Sequence, residues 1–277
     1  MRVALLGTGT MGAGMARNIA RAGIPLRVWN RSRERAEPLA EHGIEIAATP
    51  AEAVDGADLV ITMLFDAASV EEAMKDVRLG PDTVWAQMST VGVQDTARLA
   101  ATTERFVDAP VLGTKQPAEQ GTLLVVASGA EEFKPVVTPV FDAVGSRTMW
   151  VGDEPGPATK LKLVVNGWMG YLIAGTGQSM SFAEALGLDP ALFLEAINGA
   201  ASDSMVARLK GSAIIKDDFT PSFSLDGAVK DMGLIADAMR DAGVDTSVAD
   251  AVGGMMRKAQ DLGHGEKDMI SVYHAFK

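Results

Sequence analysis

The 277-residue chain contains no cysteine. That absence excludes disulfides and thiolate metal centres and suits a reducing, cytoplasmic compartment. No metal site is expected. No run of about eighteen uninterrupted apolar residues occurs, so no membrane-spanning helix is expected. The N-terminal apolar stretch is too short, and too soon broken by glycine, to act as a signal peptide. Basic runs are missing as well: 25 Lys and Arg stand against 36 Asp and Glu, a formal charge of −11. Such a balance speaks against nucleic-acid or membrane partners, and any bound phosphate needs a local site. There is no internal repeat and no low-complexity segment. What is present is a globular composition, 47% hydrophobic, long enough for two domains with their own cores.

The first dozen residues carry the strongest signal. Val3-Ala4-Leu5-Leu6 reads as a buried strand, Gly7-Thr8-Gly9-Thr10-Met11-Gly12 as a turn, and Ala13 to Ala20 as a helix. In a dinucleotide site the first glycine makes the tight turn and the second lets the pyrophosphate approach the backbone. The third allows close helix–strand packing, and the helix amino end offers NH groups to the phosphates. A second strand, Leu26 to Trp29, ends at Asn30-Arg31-Ser32-Arg33. An acidic residue at this place would accept from the ribose 2′-hydroxyl of NAD. Asn30 stands there instead, with Arg31 and Arg33 behind it, a pattern that favours a 2′-phosphate and hence NADP(H) over NAD(H). The alternative is that Arg31, Arg33 and Arg35 form the solvated face of a helix.

Apolar strands and helical stretches then alternate. Strands are expected at 44–47, 59–63, 83–86, 106–107 and 123–127, and helices at 33–40, 69–75, 93–102 and 131–143. The pattern implies an α/β fold with a Rossmann-type doubly wound sheet and ligands at the carboxyl ends of its strands. Met63-Leu64 and Ser89-Thr90 fall at such ends and are expected to border the nicotinamide ribose, with core filling the other reading of Met63. Between Asp108 and Leu123, two prolines and two glycines predict an irregular segment. Within it Gly113 and Thr114 are candidates for an anion-binding nest, or for a simple structural turn. From about Ala158 to Leu186 a long apolar helix is expected, buried on most sides, with Gly167, Gly170, Gly175 and Gly177 marking close contacts or a bend. Helices follow at 189–200, 204–215, 225–242 and 248–260, with a short last one near Ile270. The expected division is a nucleotide-binding domain over residues 1–156 and an all-α domain over 157–277, joined by the long helix.

Lys162 and Asn166 lie four apart on that helix and share a face, whereas Lys160 is about 200° from Lys162. Reducing a carbonyl with hydride leaves an alkoxide, which an ammonium can protonate while an amide NH2 orients the oxygen. Solvated polar residues are the other reading of the pair.

These motifs together, with Met15-Ala16, Asn18, Asp108-Ala109-Pro110-Val111, Gly152, Gly156 and Lys230-Asp231-Met232 after Phe223 and Leu225, resemble the beta-hydroxyacid dehydrogenase family. The similarity covers nearly the whole length, and Asn30-Arg31 with 113–123 is most similar to its NADPH-using semialdehyde reductase branch. The resemblance implies Lys162 as catalytic lysine and Asn166 as its helper. It places Thr90 and Lys230 near the cofactor, and Phe223 and Asp231 at the substrate. It implies a small aldehyde or hydroxy acid substrate and a homodimer or homotetramer. Where the family has serine after Asp108-Ala109-Pro110-Val111, this chain has Leu112, which leaves the substrate acid group to the backbone of Gly113 and Thr114 and to the Thr114 hydroxyl. Ala158 replaces a common glycine, and Trp168 is expected to narrow the pocket. The implied activity is reversible reduction of a glyoxylate- or semialdehyde-type substrate. Imine reduction and a non-catalytic NADP-binding scaffold are the alternatives.

Overall fold

The computed structural model describes residues 1–277 and divides into two compact units, Met1–Lys162 and Leu163–Lys277.

The first unit is built on a six-stranded sheet. In chain order it carries β1 (Val3–Leu6), α1 (Gly12–Arg21), β2 (Leu26–Trp29), β3 (Glu45–Ile46), α2 (Pro50–Val54), β4 (Leu59–Thr62), α3 (Ala67–Met74), β5 (Val84–Gln87), α4 (Val93–Ala100) and β6 (Phe106–Asp108). The strands lie in the order β3-β2-β1-β4-β5-β6, all parallel. Helices cover both faces, so the central strands are apolar without a break. Val3 and Leu5 of β1 enter one core and Ala4 and Leu6 the other. The register matters for function. Leu6 sits level with both Trp29 and Thr62, so the chain reversals after β1, β2 and β4 emerge side by side.

The expectation of a structureless segment between Asp108 and Leu123 is overturned. β7 (Val111–Leu112) and α5 (Lys115–Gln120) occupy it. Pro117 lies in the first turn of α5, where no intrahelical donor is lost. Gly121, left-handed at φ 70°, ends the helix. The prolines and glycines thus delimit a short helix. β8 (Leu123–Ala127), expected in the main sheet, belongs instead to a second, three-stranded one ordered β7-β8-β9. It pairs antiparallel with β7 and parallel with β9 (Gly145–Trp150), after α6 (Lys134–Val144). The sequence reading missed β9 because only Gly145 is buried, with Ser146, Arg147 and Met149 exposed, so no apolar alternation marks it. Arg33 to Ala40, expected as one helix, falls in two 3-10 turns, Arg33–Arg35 and Glu37–His42, which break at Ala36 and the second of which carries Pro38 at its start.

α7 (Pro157–Ala185) is one helix of 29 residues, and the boundary between units falls within it. Pro157 opens it at a position that needs no amide proton. In the second unit follow α8 (Ala191–Ile197), α9 (Met205–Ile215), α10 (Leu225–Asp241), α11 (Ser247–Ala259) and a 3-10 segment, Met269–Phe276. Two of the helix glycines permit close packing. A Cβ on Gly170 would stand 2.7 Å from Met232 Sδ, and one on Gly177 3.2 Å from the Tyr273 backbone, whereas Gly175 faces open space. Burial of α7 on most sides is not found within one chain: Val164, Trp168 and Phe182 are 69%, 62% and 63% exposed. Trp168 is about 200° round the helix from Asn166, so it does not narrow the space beside that amide. No helix is long and apolar enough to cross a membrane.

Candidate active site

The glycine turn occupies the switch point between β2 and β4. Gly7 donates its NH to Trp29 O at 2.8 Å, and Met63 donates to Leu6 O at 2.9 Å. Gly7 has φ 108°, and a Cβ there would overlap the Met63 carbonyl. A Cβ on Gly12 would overlap the Gly7 carbonyl, which is the close helix–strand packing expected of the third glycine. Gly9 differs, because nothing lies within 4 Å of its missing Cβ and its φ is not positive. No demand internal to the chain accounts for glycine there. The room it leaves, the α1 amino end without a side-chain cap and the buried Thr8 hydroxyl without a hydrogen-bond partner fit a pyrophosphate laid over the turn. Thr10 is exposed and Met11 half-buried at its edge.

Asn30 joins the ends of β1 and β2. Its carbonyl oxygen accepts the Thr8 NH at 3.0 Å and its amide NH2 donates to Ser32 O at 2.9 Å. Arg31 is exposed, whereas Arg33 is held by Glu37 at 3.2 Å. On the other side, Leu64 donates its NH to Ser89 Oγ at 2.8 Å, and that hydroxyl reaches Thr62 O at 3.2 Å. Gln87 anchors Ser89 through hydrogen bonds in both directions, at 2.7 and 2.9 Å. Buried Ser89 and Gln87 therefore shape the Met63-Leu64 loop, a role that sequence reasoning did not find; Thr90 beside them is half-buried. Asn18, part of the recognised motif, serves α1 by donating to Ala118 O at 2.7 Å.

Lys162 is 8% exposed, and its Nζ donates to the Val111 carbonyl at 2.7 Å. Three residues before Val111, fully buried Asp108 takes up the start of α7. Its Oδ2 accepts from Thr159 N at 2.8 Å and Gly156 N at 3.1 Å, and its Oδ1 accepts from Thr159 Oγ1 at 2.7 Å. Thr159 Oγ1 also lies 3.0 Å from Thr96 Oγ1. Ser128 Oγ accepts from Ala158 N at 3.1 Å. Burial pushes the Asp108 carboxyl above its ordinary value, against the opposing pull of the Thr159, Gly156 and Ser128 donors. Gly156 is glycine for a backbone reason, φ 117°. No local pattern signals the Asp108–Thr159 contact, because its partners lie 51 residues apart.

Leu112 ends β7, half-buried. Gly113 has φ 130°, and Thr114 is extended at φ −122°, ψ −160°. That is not the right-handed/left-handed pair of a nest, so the expected nest does not form, although Thr114 makes no capping bond with its hydroxyl. In the second unit Asn166 Nδ2 donates to Asp231 Oδ2 at 2.7 Å, and Lys230 Nζ stands 3.0 Å from Asp231 Oδ1. A carboxylate only accepts, so it fixes which end of the Asn166 amide faces it. Phe223 packs its ring over Gly227, where a Cβ would stand 2.8 Å from the ring.

Strand order, glycine turn and uncapped helix define a dinucleotide-binding protein of the Rossmann type. Residues 2–152 match the family described as the NAD binding domain of 6-phosphogluconate dehydrogenase, and residues 156–276 match the NAD-binding domain of NADP-dependent 3-hydroxyisobutyrate dehydrogenase. The chain is 31% identical to glyoxylate/succinic semialdehyde reductase 1 of Arabidopsis thaliana, over 100% of this chain and 99% of that one. Its structure is similar to the 3-hydroxyisobutyrate dehydrogenase of Salmonella typhimurium, with TM-score 0.92, 27% identity and 100% of both chains covered. It is less similar to an imine reductase from Pseudomonas sp., at TM-score 0.66, 25% identity and coverage of 100% and 99%. The chain belongs to the beta-hydroxyacid dehydrogenase family and is an NAD(P)-dependent oxidoreductase.

Proposed function

We propose that the chain uses NADPH in preference to NADH to reduce a small aldehyde carrying an acid group, reversibly toward the β- or γ-hydroxy acid. The observation that carries this reading is the buried Lys162, its ammonium directed by the Val111 carbonyl at 2.7 Å. A lysine buried this deeply, with its ammonium directed by a backbone carbonyl, suits proton transfer better than solvation. When bound, the reduced nicotinamide supplies hydride to the carbonyl carbon. Lys162 donates a proton to the carbonyl oxygen as that atom gains charge, a step worth roughly 100-fold to 10,000-fold in rate. Asn166, one turn further along α7, orients the same oxygen. With one amide hydrogen committed to Asp231, the other remains for the substrate.

The acid group is assigned to the Thr114 hydroxyl, which makes no capping bond, and to the single NH groups of Gly113 and Thr114, which form no nest; Phe223 and Asp231 are assigned to the substrate. Leu112 provides no hydrogen bond where the family has serine, which weakens carboxylate binding by about 0.5 to 1.5 kcal/mol. The cofactor is assigned to Gly7, Gly9, Thr10, Met11, Gly12, Asn30, Arg31, Met63, Leu64, Thr90 and Lys230. The reading takes residues 1–156 as the nucleotide-binding domain and 157–277 as the substrate-binding and oligomerisation domain. Exposed Val164, Trp168 and Phe182 support a homodimer or homotetramer, for which light scattering is the check.

A panel of glyoxylate, succinic semialdehyde and methylmalonate semialdehyde with each cofactor tests the substrate class. Lys162→Ala is expected to lower kcat at least 100-fold with the best of them, and an unaltered rate removes the mechanism. Leu112 favours one second reading, reduction of a less polar electrophile such as a cyclic imine. Turnover of cyclic imines faster than of any semialdehyde would establish it.

A further inference from the structure

Within the first unit, the segment Asp108-Ala109-Pro110-Val111 touches the start of α7 at two points. Asp108 holds the backbone of the first turn, through the NH groups of Gly156 and Thr159 and the Thr159 hydroxyl. Val111, three residues on, receives the Lys162 ammonium. Thr159 and Lys162 are themselves three apart, one helical turn. The two contacts therefore form a closed frame: a short extended segment on one side, one turn of helix on the other, and a hydrogen-bonded rung at each end. Proline at position 110 stiffens the extended side, and Ser128 Oγ, accepting from Ala158 N at 3.1 Å, buttresses the helical side. A long lysine side chain has four rotatable bonds and no preferred direction of its own. A frame that fixes both its root and its tip removes that freedom.

We propose that Asp108 and Thr159 are positioning residues for Lys162: the Asp108 carboxylate, through the Thr159 hydroxyl and the first-turn amides of α7, sets the axial and rotational register in which the lysine meets its acceptor and its substrate. An ordinary helix cap stabilises by accepting one or two first-turn amides, and a serine or asparagine does so as well as an aspartate. Here the carboxylate is fully buried, at 0% exposure, uses both oxygens, and is linked through Thr159 to Thr96 on α4 at 3.0 Å. Burial of a carboxylate is costly when a neutral cap would do. Its presence points to a demand on geometry, since two oxygens with three donors define the helix end in more directions than one amide oxygen can. Small misplacements of a catalytic group cost as much as 100-fold in rate, so the demand is real for a proton donor.

This inference rests on Lys162 as proton donor, and the experiment separates the two. Four proteins, Lys162→Ala, Asp108→Asn, Thr159→Val and Thr159→Ser, are compared with the unaltered enzyme using NADPH and whichever panel aldehyde is reduced fastest. Asp108→Asn and Thr159→Val are also placed in the Lys162→Ala background. Asp108→Asn is expected to lower kcat about 10- to 100-fold and Thr159→Val several-fold, with KM for NADPH and direct NADPH binding changed less than twofold. Thr159→Ser, which restores the hydroxyl, returns kcat to near the original. In the Lys162→Ala background neither change lowers the residual rate further, because the residue it positions is gone. Should Asp108→Asn fail to fold, Thr159→Val against Thr159→Ser carries the test, since that pair leaves the carboxylate in place. A full loss in Lys162→Ala together with unaltered kcat in Thr159→Val, or equal losses with and without Lys162, overturns the positioning role alone. An unaltered rate in Lys162→Ala overturns the proposed function as well.

Discussion

Removal of the Arg31 guanidinium tests how the chain chooses its nucleotide. Arg31 is exposed at the end of β2, while Arg33 two residues on is held by Glu37. Asn30, which the proposed function assigns to the ribose, has its carbonyl oxygen and its amide on Thr8 and Ser32. On the proposed NADPH reading, discrimination for a 2′-phosphate is therefore assigned to Arg31 rather than to Asn30 or Arg33. A hydrogen bond to a charged group contributes about 1.5 to 3 kcal/mol. At an exposed position solvent screening reduces this toward about 1 to 1.5 kcal/mol, or about 5- to 13-fold in affinity. Dissociation constants for NADPH and NADH, measured by calorimetry on the same preparations, give the ratio directly. Arg31→Ala is expected to narrow the NADPH preference by that factor through weaker NADPH binding alone, and raising the salt should narrow the difference between variant and parent. Arg33→Ala should change the ratio less than twofold. Asn30→Asp keeps the acceptor for the Thr8 NH, gives up the donor to Ser32 O and puts a negative charge at the end of β2, so it should turn the preference toward NADH. An unaltered ratio in Arg31→Ala, or an equal effect from Arg33→Ala, would refute the reasoning.

Four further outcomes follow. Gly9→Ala is expected to melt like the parent, because no atom lies near the added methyl group, yet to bind NADPH at least tenfold more weakly. Gly12→Ala, whose methyl would overlap the Gly7 carbonyl, should lose about 1 to 3 kcal/mol of stability, read as a lower melting temperature. In the second unit, burial pushes the Asp268 carboxyl up, but Lys210 and the Ser222 and Ile270 amides outweigh it and hold it below its ordinary value. A depressed carboxylate stabilises the fold above its unfolded pKa of about 3.9, and that contribution disappears as pH falls through the folded value. Asp268→Asn should accordingly cost about 3 kcal/mol at neutral pH and flatten the acid limb of stability measured by urea unfolding. On the proposed mechanism hydroxy acid oxidation uses Lys162 as proton acceptor, so its rate should rise with pH, and the rise should vanish in Lys162→Ala.

Local features were legible before any coordinates. The apolar run Val3 to Leu6, the glycine spacing and the helix after it describe a strand, turn and helix whose parts touch their nearest neighbours in sequence. The i, i+4 relation of Lys162 and Asn166 required only helical geometry. Less legible were elements whose state depends on a distant partner. β7 is two residues long and exists through pairing with β8, and β9, buried only at Gly145, carries no apolar alternation. α5, with Pro117 in its first turn and Gly121 at its end, reads as irregular in the sequence because a first-turn proline marks a helix start as readily as it breaks one.

What the sequence by itself determined is the dinucleotide fold, the glycine turn and the placing of Lys162 and Asn166 on one face of a helix, because periodicity and spacing act within a turn or two of chain. Only the tertiary structure decided where those residues are held. It showed that Asp108 grips the helix that bears Lys162, that Val111 receives the ammonium, and that Asp231 sets the Asn166 amide. The physical reason is that a hydrogen bond between residues 51 or 65 positions apart leaves no periodic trace in either segment, and its partners meet only after both cores have closed around them.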